Sequence, residues 1–153
     1  MKILRLSAST SLSAVGVIPR VVDMGVERYL LPAALTAVVG QRLVRKLCPN
    51  CRIEDRDADQ WRQRFPEQLA TTQELWAAGA CDSCLHAGYA GRQAIFEALI
   101  VDDDFHDPIV DNAGPAELEK LALSKGMQSM FMDGLRKAGL GITSVEEVLR
   151  VVR

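Results

Sequence analysis

Two C-x-x-C pairs, Cys48-x2-Cys51 and Cys81-x2-Cys84, contain every cysteine of the chain, with residues 52–80 between them. One such turn lets two sulfurs converge on a single ion, and two turns complete a tetrahedral thiolate shell. Zinc suits that shell because it accepts four soft ligands without redox chemistry, and a closed four-thiolate site is structural. Structural zinc in small domains contributes about 10–16 kcal/mol of apparent binding energy, comparable to the whole stability of a domain. Two alternatives remain: a rubredoxin-like iron site, disfavoured by a charged spacer poor in aromatic residues, and metal-free or redox-active thiols. His86, two residues past Cys84, is a fifth candidate ligand, although four thiolates already fill the site.

Other features exclude more than they propose. The net charge of −2, from 18 basic and 20 acidic side chains, gives no electrostatic footprint for nucleic acid. Aromatic residues make up 5% of the chain, too few for a base-stacking surface. No apolar run approaches the roughly 20 residues needed to span a bilayer, and Arg5 and a Ser/Thr cluster interrupt the N-terminal apolar stretch. These features point to a cytoplasmic chain without membrane insertion, where paired cysteines indicate metal rather than disulfides. There is no G-x-x-x-x-G-K-[ST] loop and no G-x-G-x-x-G turn. With only His86 and His106 available, no catalytic grouping forms.

The patterning predicts an α+β, mostly helical chain. An apolar alternation occupies residues 3–6, and a helix begins near Ile18 or Pro19 and stops at Gly25. A second helix is expected from Pro32, with Leu35, Val38 and Val39 on one face; "QRLVRKLC" can continue it or form a strand. A short helix is expected around Trp61 and Phe65, ended by Pro66. A capping box at Thr71 and Glu74 predicts another through "TTQELWAAG". "QAIFEALIV" is a strand candidate, and Asp102–Asp104 a solvated turn with a hard-cation site as the minor alternative. Helices follow from Pro115 to Gly126, along the stripe Met127, Met130, Phe131, Leu135 and Ala138, and over residues 144–151 with Thr143 and Glu146 as the cap. The methionine stripe is expected to be core. Arg45, Lys46, Arg52 and Arg92 flank the cysteines, either balancing thiolate charge or simply solvated.

Three blocks in linked order then carry a resemblance: "RVVDMGVERYLLPAALTAVVGQRLVRKLCPNC", "CDSCLHAGYAGRQAIFEAL" and "MDGLRKAGLGITSVEEVLRVV". Together they resemble the C-terminal part of the type II secretion and type IV pilus assembly ATPases. The resemblance implies a remnant of a RecA-like core over residues 1–47, a tetracysteine zinc subdomain with its following strand over 48–101, and a helical subdomain over 102–153. It assigns the zinc to Cys48, Cys51, Cys81 and Cys84. Proteins of that family assemble as hexamers on the cytoplasmic face of the inner membrane and hydrolyse ATP.

The family's phosphate loop, Walker B segment and acidic box lie upstream of the matching region. "LRLSASTSLSA" resembles the family's histidine-box strand, with Thr10 where the histidine stands, and Arg42 and Arg45 match its "QRLVR" segment. The expectation is therefore a truncated relative that binds no nucleotide, hydrolyses no ATP and has no catalytic residue. Expected partners are secretion or pilus ATPase subunits and inner-membrane platform proteins, with peripheral attachment to the inner membrane; homo-oligomerisation is open. The alternatives are a split ATPase acting in trans and an unrelated zinc ribbon that binds nucleic acid.

Overall fold

The computed structural model describes residues 13–69, 72 and 74–152. The apolar alternation at 3–6, Thr10 and the Thr71 half of its capping box lie outside them. The elements run α1 (Val17–Asp23), α2 (Leu31–Ala34), β1 (Ala37–Leu47), β2 (Ile53–Glu54), α3 (Ala58–Arg64) and α4 (Pro66–Leu69). They continue with β3 (Trp76–Ala77), β4 (Tyr89–Ile100), α5 (His106–Val110), α6 (Pro115–Ser124), α7 (Met130–Gly139) and α8 (Val145–Val152). The chain is thus α+β. β1 pairs with β4, and β2 pairs with β3. Val101 donates to the Thr36 carbonyl (3.0 Å) and Cys48 to the Gly88 carbonyl (2.9 Å), so β1 and β4 run antiparallel.

Two expected helices are strands or shorter helices instead. Only Leu31–Ala34 is helical in the segment from Pro32, and Val38 and Val39 belong to β1. Adjacent β-branched residues followed by Gly40 weaken a helix, and pairing with β4 gives this backbone another set of partners. "TTQELWAAG" contains β3, whose Trp76 and Ala77 face Glu54 and Ile53 in an antiparallel ladder. Tertiary pairing overrides a local helical signal here, because β3 carries the second cysteine pair towards the first.

The fold divides into two units, each built from two stretches of chain. One comprises residues through Gly40 together with Glu97–Ser129. Its core joins Ile18 and Val21 of α1, three residues apart, to Leu31, Leu99, Phe105, Ile109 and Leu118. Gly25 closes α1 with φ +94°, a conformation that favours glycine. The acidic run forms a turn over Asp103–Phe105, and Lys125 pairs with both Asp102 (2.8 Å) and Asp104.

The other unit comprises Gln41–Phe96 and the residues from Met130. Leu69, Leu75, Leu135, Ala138, Val145 and Val148 form its main core, and Val44, Ile95 and Met130 form a second. The expected methionine stripe is divided: α7 begins at Met130, whereas Met127 packs in the first unit. α7 and α8 approach closely at Gly134, where a Cβ would lie 2.6 Å from a Val148 methyl. Asp133 on α7 accepts from the Phe96 N–H (3.0 Å) and pairs with Arg136 (2.8 Å) and Lys137. Burial works against its charge, but these donors hold its carboxyl below the usual range.

The final helix is capped one residue later than the spacing predicts. Ser144 Oγ accepts from the Glu147 N–H (3.2 Å), while Thr143 Oγ1 donates to the Arg45 carbonyl (2.8 Å). Both pairs have capping-box spacing, and contact with β1 decides between them.

Candidate metal centre

Cys48 stands at the end of β1, where its N–H is held by Gly88. The chain then turns sharply, and Cys51 and Arg52 N–H both reach back to the Cys48 carbonyl (3.4 and 3.0 Å). The second turn is its counterpart: Cys84 and His86 N–H reach the Cys81 carbonyl (3.3 and 2.9 Å). Leu85 and His86 take φ of +51° and +61°, and Gly88 +73°, so three of four consecutive residues lie in the left-handed region that side chains disfavour.

These turns bring all four sulfurs within 4.8 Å of one another. Cys48–Cys81 is 3.9 Å, and Cys51–Cys84 and Cys81–Cys84 are each 3.7 Å. A regular tetrahedron with metal–sulfur bonds of about 2.3 Å has edges of about 3.8 Å. The sulfurs therefore fit a four-coordinate zinc shell, and they are far beyond the roughly 2.05 Å of a disulfide bond. Cys48 and Cys84 are buried, and Cys51 and Cys81 partly so.

Electrostatics divide the thiols. Burial and the sulfurs of Cys81, Cys84 and Cys48 push the Cys51 thiol up to about 12. At Cys84 burial also opposes charge, yet backbone contacts with Cys81 and Gly88 and the neighbouring thiols hold it down to about 6. The Gly88 N–H donates to the Cys84 sulfur at 3.2 Å. The Cys84 sulfur is readily ionised, and the Cys51 thiol resists following it unless a cation compensates the accumulating charge.

The turns pack against each other through backbone. A Cβ at Gly79 would lie 1.8 Å from the Cys51 carbonyl oxygen, and one at Gly88 would lie 2.5 Å from the Gly79 carbonyl oxygen. Gly79→Ala is therefore expected to cost about 3 kcal/mol, since backbone must move rather than a side chain. Unchanged thermal melting of that variant would contradict it.

His86 is not part of the cluster. It is largely exposed, and its Nε2 lies 3.0 Å from Asp82 Oδ1. His106 is also exposed and pairs with Asp107. Arg45 and Arg52 are engaged elsewhere: Arg52 donates to the Gly141 carbonyl (3.1 Å), and Arg45 bonds Glu147 (2.7 Å). Arg42 donates to the Val151 carbonyl.

Sequence reasoning missed Glu147, whose side chain is fully buried. Its carboxylate accepts from the Arg45 N–H (3.0 Å), the Arg45 guanidinium and two Arg150 nitrogens (2.7 Å each). Arg45 also sits 4.0 Å over the Tyr89 ring, and the Tyr89 hydroxyl lies 2.9 Å from Ser144 Oγ. The capping distance from Ser144 to Glu147 was the available signal.

Comparison with known proteins places these features in context. The family described as "Type II/IV secretion system protein" matches residues 5–150. The chain is 40% identical over 141 residues to the "Type II secretion system protein E" of Aeromonas hydrophila, covering 92% of this chain and 28% of the relative. It is 42% identical over 142 residues to the "Type II secretion system ATPase E" of Vibrio cholerae, with the same two coverages. It is 40% identical over 134 residues to the "Type IV pilus assembly ATPase PilB" of Thermus thermophilus, covering 86% of this chain and 15% of that protein. The chain thus spans less than a third of the length of these relatives.

Proposed function

We propose, for a chain that belongs to the Type II/IV secretion system protein family, a structural zinc site at Cys48, Cys51, Cys81 and Cys84 and a docking role within a secretion or pilus-assembly machine. The sulfur spacing carries the metal reading: all four sulfurs lie within 4.8 Å of one another, and three separations of 3.7–3.9 Å fit the edge of a zinc tetrathiolate. Bound there, zinc would supply cross-linking, because four thiolates leave no position for substrate or water. The chain's own residues do the rest. The Gly88 N–H stabilises the Cys84 thiolate, and Gly79 and Gly88 let the two turns approach.

The docking role is a non-hydrolysing one. These 153 residues contain no G-x-x-x-x-G-K-[ST] loop to cradle phosphates. Arg42 and Arg45, which the resemblance places near a nucleotide core, are occupied by the Val151 carbonyl and Glu147. Residues 1–47 are assigned, on the resemblance, to part of a RecA-like core. The partners are secretion or pilus ATPase subunits and inner-membrane platform proteins, met at the cytoplasmic face of the inner membrane. Among the described residues no helix is long and apolar enough to cross a membrane.

Purified chain is expected to show no ATP turnover above a heat-killed control. Intrinsic turnover would overturn the reading. Acceleration of a full-length relative's ATPase on mixing would instead assign the chain a completing role in trans.

A further inference from the structure

Beside the zinc-ligand turns, within the same unit, lies an open groove of about 860 Å³. Its walls include Arg52, Gln68, Glu74, Trp76, Arg136 and Leu140. The volume falls in the range of natural ligand sites, large enough to receive two or three side chains.

Arg52 is fixed in this wall by two contacts. Its guanidinium sits 4.5 Å over the Trp76 ring, and one nitrogen donates to the Gly141 carbonyl. Neither contact is a negative charge, and among the described residues Arg52 has no ion-pair partner. The indole and the carbonyl hold the cation in place and leave its charge available. An arginine so ordered loses little further entropy on binding a carboxylate.

Arg136 supplies a second guanidinium, 58% exposed. Its partner Asp133 is shared with Lys137 and the Phe96 N–H, so that carboxylate is only partly devoted to Arg136. Glu74 is the one acidic wall residue among those described, against two arginines. In the same wall, just past the end of α7, Leu140 is 61% exposed. The groove therefore offers two cations around an apolar surface.

A free phosphate would use the cations but not the apolar wall. A nucleic acid needs several phosphate contacts, which one uncompensated arginine on a chain of net charge −2 does not supply. Charge complementarity and the apolar wall together select a carboxylate beside an aliphatic side chain. We propose that this groove docks an acidic, leucine-containing segment of a partner protein, its carboxylates on Arg52 and Arg136 and its leucine against Leu140 and Trp76. This rests on the docking role proposed above and names the chemistry of the contact.

The test uses the full chain and three probes: a Glu/Leu peptide, its Lys/Leu counterpart and a single-stranded oligonucleotide. Binding is followed by NMR of the Trp76 indole N–H, assigned with Trp76→Phe. The acidic peptide is expected to shift this signal saturably, and Arg136→Glu is expected to weaken binding by about tenfold or more. Leu140→Ala, at an exposed position, is expected to weaken it several-fold without changing the melting temperature. Indifference of the Trp76 signal to the acidic peptide, equal binding of the lysine peptide, preference for the oligonucleotide, or full binding by both variants would each overturn the proposal. Zinc content and ATPase assays on the same samples separate its failure from failure of the metal or non-hydrolysing readings.

Discussion

Cys48→Ser is expected to lose the bound zinc and to lower the melting temperature by about 10 °C or more. Elemental analysis of the unaltered chain should find about one zinc per chain. The effect is large because the short β2–β3 ladder beside the cysteine turns contributes little by itself. β2 and β3 share a single two-residue ladder, and Ile53 in it is exposed. A ladder that short has no independent stability in water. Removing one sulfur opens the shell, and the remaining thiols include one, Cys51, that burial and its neighbours keep protonated without a metal. Hydrogen exchange should locate the damage: protection is lost around the cysteine turns and kept around Phe105, Ile109 and Leu118, which form a separate core. A Cys48→Ser chain that is zinc-free yet melts unchanged would contradict the structural role of the metal.

Glu147→Gln carries the second large effect, an expected loss of about 2–3 kcal/mol. The buried carboxylate joins Arg45 on β1 to Arg150 on its own helix, and it also receives the Arg45 N–H. An amide cannot satisfy these four donors with a full charge. The cost stays below that of a fully buried pair because Arg45 and Arg150 are about half exposed and can rehydrate.

The same group sets a pH dependence. Burial favours the neutral acid, but the hydrogen bonds from Arg150 and Arg45 outweigh it and hold the carboxyl down to about 2, against an ordinary 4.5. A depressed carboxyl contributes stability that is present above its unfolded value and lost as pH falls towards the folded one. Denaturant melts should therefore show stability declining by about 2 kcal/mol between pH 4.5 and 2, after allowance for solvent screening. The Gln variant should show a shallower decline over that window. Parallel curves for the two proteins would remove Glu147 as the cause.

Legibility followed the range of the interactions involved. The convergence of the four cysteines, the strand at "QAIFEALIV" and the helix opened by Pro115 depend on spacing, β-branched content and a fixed φ. They were visible because such signals act within a few residues. The helix expected across "TTQELWAAG" failed for the opposite reason. Its capping spacing was genuine locally, but Trp76 and Ala77 gained backbone partners from residues more than twenty positions earlier. Thr143 and Ser144 each had a suitable acid three residues on, and only contact with Arg45 on β1 chose between them.

By itself the sequence determined that four sulfurs would form one candidate site, because two C-x-x-C turns are geometrically predisposed to converge. It also carried the family, because the three blocks kept their order. Tertiary structure alone decided how the sulfurs meet: the β2–β3 ladder and the backbone approaches at Gly79 and Gly88 set the distances between them. It alone buried Glu147 between two arginines and stacked Arg52 on Trp76. Those arrangements join residues far apart in the chain, and no local periodicity encodes which distant side chain will fill a given space.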